Sequence, residues 1–152
     1  MEILNKNLLH SDSQYIAHQT NCVTKSSKGL AKQIFSTFPY ANTYGDKYGD
    51  KRKVGTIDIM GNKTQRKVIN MNAQYKPSRP SKGEFDGKLC REKWFSECLE
   101  QIEKIKDLES IAFPYRIGCG YGGGDWDTYH SMLSEFAKRV EKRNVKVVLY
   151  KI

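Results

Sequence analysis

Residues 114–126 read Pro-Tyr-Arg-Ile-Gly-Cys-Gly-Tyr-Gly-Gly-Gly-Asp-Trp, which places five of the chain's 12 glycines in one stretch. An apolar run, Ile111-Ala112-Phe113, comes before it and helical periodicity follows from Asp125. Backbone this free to turn can point several N–H groups at one ligand, and the N-terminus of the next helix adds partial positive charge. The chemistry predicted is phosphate binding. The loop is neither a dinucleotide fingerprint, whose helix starts inside the glycines, nor a P-loop, which ends in Gly-Lys-Ser/Thr.

Other polar residues stand beside this loop or ahead of a helix. Asn21 follows an apolar strand, a place where Asn often bonds the local backbone. His18 lies inside that strand, where an imidazole is ordinarily a hydrogen-bonded core group. Asp125, before Trp126-Asp127-Thr128, is a good helix N-cap, worth about 1 kcal/mol. Cys22, Cys90, Cys98 and Cys119 contain no Cys-x-x-Cys pair, and His10, His18 and His130 are scattered. Neither a disulfide framework nor a metal site is expected, and no cofactor is implied. The cysteines read as free thiols without the orienting group a nucleophile needs.

The elements that must hold these residues alternate in type. Residues 2–4 and 14–20 read as strands, and Leu30, Ile34, Phe35 and Phe38 fall near helical spacing until Pro39. Gly55 to Met60 and Lys67 to Met71 flank Gly61-Asn62, a hairpin signal. Residues 73–86, with Pro77, Pro80 and Gly83, read as a long loop of the kind that tends to be functional or disordered. Phe95, Cys98, Leu99, Ile102 and Ile105 mark a helix, Ser110 to Pro114 a strand, Tyr129 to Val140 a last helix, and Lys146 to Tyr150 a closing strand. That pattern predicts an α/β layer fold, in one domain over 1–152.

The formal charge is +9, and its excess lies in the first part: residues 1–83 hold 14 Lys and Arg against 5 acids, residues 84–152 hold 12 against 12. Such a surface attracts polyanions or steers a phosphorylated small molecule. No helix-turn-helix, zinc finger or aromatic-basic RNA motif is present. Neither a membrane span nor a signal peptide is seen, so a cytoplasmic monomer is expected.

Ile16-Ala17-His18-Gln19-Thr20-Asn21-Cys22-Val23, followed by Lys28-Gly29-Leu30-Ala31-Lys32, resembles the first ligand loop of a macro domain, and Pro114 to Trp126 resembles the second. The likeness extends over nearly the whole chain and is nearest to the branch of ADP-ribose-1''-phosphate phosphatases and terminal ADP-ribose protein glycohydrolases. It implies a three-layer α/β/α fold with a mixed central sheet and a cleft for ADP-ribose.

The resemblance also implies roles. Asn21 would bond the distal ribose, with Gln19 beside it. Gly29, Leu30 and Ala31 would bring helix backbone close to that sugar and its phosphate. Ile117, Gly118, Cys119, Gly120, Gly122, Gly123 and Gly124 would wrap the diphosphate, with Tyr121 over the distal ribose. Tyr150 would lie against the adenine or its ribose. Where the family opens Gly-Asp-Ile this chain has Lys6-Asn7-Leu8, leaving the Asn7 carbonyl to accept the adenine amino group. His18 and Asp125 resemble the catalytic pair of the phosphatases. Glycohydrolases use a lysine just after the central strand, whereas Lys76 comes several residues later. The implied activity is a metal-independent hydrolase, first an ADP-ribose-1''-phosphate phosphatase. The alternatives are a mono-ADP-ribosyl hydrolase acting on modified protein or nucleic acid, and a non-catalytic module for ADP-ribose or a related signalling nucleotide.

Overall fold

The structure, a computed structural model, describes residues 1–45 and 52–151. Its strands are β1 (Glu2–Leu4), β2 (Tyr15–Asn21), β3 (Thr56–Met60), β4 (Lys67–Gln74), β5 (Ser110–Pro114) and β6 (Lys146–Tyr150). The helices are α1 (Gly29–Thr37), α2 (Lys88–Glu103) and α3 (Trp126–Glu141), with single 3-10 turns at Leu8–His10 and Pro39–Ala41. The strands form a mixed sheet in the order β1-β6-β5-β2-β4-β3. All neighbours are parallel except the β3–β4 hairpin, which turns at the predicted Gly61-Asn62.

Period-two alternation sends successive side chains to opposite faces, and both faces are covered. Ala17, Ile69, Met71, Ile111, Phe113, Val147 and Leu149 pack against α2 and α3. Ile16, Val68, Ala112 and Val148 meet Ile34 and Phe35 of α1 and Leu8. Each such fully buried Val, Leu, Ile, Phe or Met side chain contributes roughly 1.5–3 kcal/mol, and together with the alanines they fix the three layers. Pro39 follows α1 directly; the Phe38 N–H still bonds the Ile34 carbonyl, and the chain leaves in a 3-10 turn.

The apolar pattern breaks toward the carboxyl ends of β2 and β4. On the α1 side His18 stands opposite Asn70, and Thr20 opposite Asn72. All four are buried. Because β2 continues to α1 on one face while its parallel neighbour β5 continues to α3 on the other, the chain parts there, and a crevice opens beyond the strand ends. No helix among the described residues is long and apolar enough to cross a membrane.

Candidate functional site

A cleft of about 410 Å³ occupies that crevice. It takes His18, Gln19 and Asn21 from β2, Gly29, Leu30 and Ala31 from the first turn of α1, and Ile117, Gly118, Gly120, Tyr121 and Gly122 from the glycine loop. The N-cap of α1 is Lys28, which makes no side-chain capping bond. Its first-turn amides are thus left to an incoming acceptor, and an anion is the natural one.

His18 Nε2 lies 2.6 Å from Asn70 Oδ1. The Asn70 amide nitrogen donates to the Ala41 carbonyl at 2.8 Å and to Thr43 Oγ1 at 3.2 Å, so its oxygen is the group turned to the imidazole. Nε2 therefore carries the hydrogen and Nδ1 a bare lone pair, the tautomer being set by the network. That Nδ1 is buried, and no described residue bonds it. Burial pushes the imidazole down to about 4, against the opposing effect of the Asn70 bond. Near neutral pH the group is an uncharged acceptor for a hydroxyl or a water.

Asn21 performs two tasks. Its Oδ1 accepts the Val23 and Thr24 amides at 3.2 and 2.9 Å and so shapes the first loop. Both the Asn21 backbone N–H and its side-chain NH2 reach the Tyr44 hydroxyl oxygen, leaving one amide hydrogen to donate in the cleft. Arg52 closes the loop from behind, donating to the carbonyls of Asn21 and Thr24 and lying 5.1 Å from the Tyr44 ring centroid. Gln19 is held by Gln74 at 2.7 Å, with Gln19 Oε1 buried and unbonded.

The second loop is folded on itself. Gly118 has φ +77, and a Cβ there would lie 2.6 Å from Tyr129 Cε2. A Cβ on Gly122 would lie 2.6 Å from the Gly118 carbonyl oxygen, the same oxygen that accepts the Gly124 amide at 2.9 Å. Only glycine fits those two places. Tyr121, 67% exposed, lies across to the first loop, its ring 3.0 Å from where a Gly29 Cβ would be.

No family model matches the chain. A curated relative, an uncharacterized 17.5 kDa protein in the tk-vs intergenic region of Enterobacteria phage T4, is 23% identical over 142 residues, or 88% of this chain and 86% of the relative. Among solved structures, the macrodomain of Mycobacterium tuberculosis DarG superposes with TM-score 0.78 at 24% identity, over 98% of this chain and 95% of that one. The macrodomain of Thermus aquaticus DarG gives 0.76 at 24%, over 99% and 97%. Thermosipho africanus DarTG, solved in complex with ADP-ribose, gives 0.76 at 17%, over 99% of this chain and 41% of that one. This chain has the macrodomain fold.

Within this fold, several residues singled out from sequence do not line the cleft. Asp125 is exposed; it stands at the N-cap of α3 without bonding the backbone and accepts the Thr128 hydroxyl at 3.0 Å. Asn7 uses its side-chain carbonyl to cap the Leu8–His10 turn through the Leu9 amide, and Leu8 is core. Tyr150 is 4% exposed and packs in the α1-side core. Cys119 directs its thiol to the Ile117 carbonyl, and burial pushes that thiol up to about 11, as it pushes Cys22 to about 12. Gly123 and Gly124 shape the loop behind the lining residues.

The cleft also holds Tyr44 and Arg116, which the sequence did not single out, and Gln74 and Ser78 from the segment 73–86 that the sequence marked only as a loop. Arg116 has φ +64, uncommon outside glycine, and that oddity has no sequence signal. Tyr44 and Arg52 fall within the basic stretch from Tyr40 to Lys53; the rest of that stretch at 46–51 lies outside the described residues. Among the described residues no cluster of His, Cys, Asp or Glu could hold a metal ion.

Proposed function

We propose that the cleft binds ADP-ribose or an ADP-ribosyl compound and that the protein is a hydrolase of that ligand class, with ADP-ribose-1''-phosphate as the first substrate to try. The observation that carries the reading is a single cleft lined by the first turn of α1, by Gly118, Gly120, Tyr121 and Gly122 of the glycine loop, and by His18, whose Nδ1 no described residue bonds. Amides at a helix start and in a glycine loop suit a diphosphate. A solved structure of the same fold holds ADP-ribose.

In this arrangement the glycine loop takes the diphosphate, Asn21 Nδ2 donates to the distal sugar, and Tyr121 covers it. His18 Nδ1 accepts a hydrogen bond from water and aims its oxygen at the scissile centre. Orientation is the larger part of such a contribution, because an imidazole held to about 4 is a weak base near neutral pH.

A non-catalytic module for ADP-ribose is the second reading, favoured by one observation: no Asp or Glu is among the described residues that line the cleft. Two parallel measurements decide. Calorimetry with ADP-ribose should show saturable binding, and incubation with ADP-ribose-1''-phosphate should release phosphate. Binding without release favours the module; no melting shift at millimolar ADP-ribose removes both readings.

A further inference from the structure

Arg91 on α2 is buried to 1% and does not line the cleft, yet its guanidinium holds three segments together. Nε bonds Asp86 Oδ1 at 2.9 Å and Nη2 bonds Asp86 Oδ2 at 3.0 Å. Nη1 donates to the carbonyls of Ser78 at 2.7 Å and Gly122 at 3.1 Å, and Nη2 to those of Lys76 at 3.2 Å and Arg79 at 3.3 Å. Asp86, buried to 2%, accepts the Tyr75 and Lys76 amides at 2.8 and 2.9 Å.

A buried ion pair is a poor way to gain stability, since apolar residues of like volume do as well or better. Here the pair meets a different need: four backbone carbonyls point at one buried spot, and a guanidinium offers five N–H groups in a fixed fork. Ser78 and Asp86 have φ of 65 and 59, a conformation uncommon outside glycine that persists only where the surroundings impose it. Pro77 and Ser78 line one side of the cleft and Gly122 another. From the far side Pro80 closes on Gly123, where a Cβ would lie 2.7 Å from Pro80 Cδ.

We infer that Arg91 is a positioning residue of the ligand cleft: by holding the Lys76, Ser78, Arg79 and Gly122 carbonyls at once it sets the mid-chain segment and the glycine loop at a fixed separation. Ligand affinity then depends on a side chain the ligand never touches. The affinity arm of the test rests on the proposed ADP-ribose ligand; the exchange arm does not.

The test is Arg91→Lys, which keeps the charge and a partner for Asp86 but presents one ammonium point that cannot span four carbonyls. ADP-ribose affinity is measured by calorimetry and amide exchange by mass spectrometry, well below the melting temperature. The expected result is affinity lower by about tenfold or more. Exchange should quicken together at Lys76, Ser78 and Arg79 and at 120–124, with β5 and β6 unchanged. Unaltered affinity overturns the inference, and so does uniform quickening through the sheet. If the parent protein fails to bind ADP-ribose, the functional reading falls, and exchange alone decides: paired quickening supports the clamp and quickening confined to the mid-chain segment overturns it. Should Arg91→Lys not fold, Gly123→Ala presses the same two segments apart without touching the buried charge. Quickening at Lys76, Ser78 and Arg79, away from the substituted position, supports the coupling; confinement to 120–124 overturns it.

Discussion

His18 titrates near 6.5 in an unfolded chain and at about 4 when buried in the fold, so between those values the unfolded state binds a proton that the folded state refuses. Stability therefore falls as pH drops from about 6.5 toward 4, by on the order of 3 kcal/mol in all, and levels below that. The Asp86 contribution lies lower. Burial acts to raise that carboxyl, but the Arg91 bond and the two amides outweigh it and hold it below the usual carboxylate range, so its contribution is full above that range and is lost as the pH falls from there through the lower folded value. Urea unfolding at several pH values reads both, and His18→Gln should flatten the upper window; an unchanged slope in that variant would show that another group is responsible. Asp125 makes the opposite kind of prediction. Being exposed, outside the cleft lining and without a bond to the α3 backbone, it should tolerate Asp125→Asn with stability within a few tenths of a kcal/mol. ADP-ribose affinity and any turnover should also hold, and a selective loss of rate would restore it as a base. The cap position was readable from Asp125-Trp126. What fixes the His18 tautomer was not, because Asn70 is 52 residues away and only strand register brings it there.

Every strand and helix predicted from periodicity is present, since apolar spacing is a local property of the chain. The errors arise where the site replaces core. The sequence pattern stops β4 at Met71, because Asn72 and Gln74 look like loop residues; the strand runs on to Gln74, its polar face paired with Thr20 and Gln19 of β2. The glycine loop was legible as a ligand loop, but not which glycines are obligatory. Its geometry now separates them. Gly122→Ala forces a methyl to 2.6 Å from the Gly118 oxygen, backbone that cannot swing aside, and should cost about 1–3 kcal/mol of stability and disturb ligand binding. Gly120 has open space around it, so Gly120→Ala should change stability by no more than about 0.5 kcal/mol. Paired melts with and without ADP-ribose check both, and equal penalties at the two positions would mean that Gly122 is not pressed against the Gly118 carbonyl.

At the scale of the molecule the whole +9 excess sits in the first 83 residues, and among the described residues two cations, Lys28 and Arg116, line the cleft. Two uses of that charge differ in how they respond to salt. A ligand with two phosphates releases few counterions, so its affinity should fall with a log–log slope of about one to two as salt rises from about 50 to 200 mM. A single-stranded polyanion laid over a basic face would show a slope of several, near 0.7 for each phosphate neutralised. The cleft geometry favours the first, because its lining is gathered at one place between α1 and the glycine loop rather than spread along a track. ADP-ribose binding measured across that range should follow the shallow slope, and unmodified single-stranded DNA should compete with it weakly at the upper end. A steep slope for the DNA together with displacement of ADP-ribose would mean that the basic face and the cleft form one surface for a nucleic-acid ligand, and the small-anion reading would give way to it.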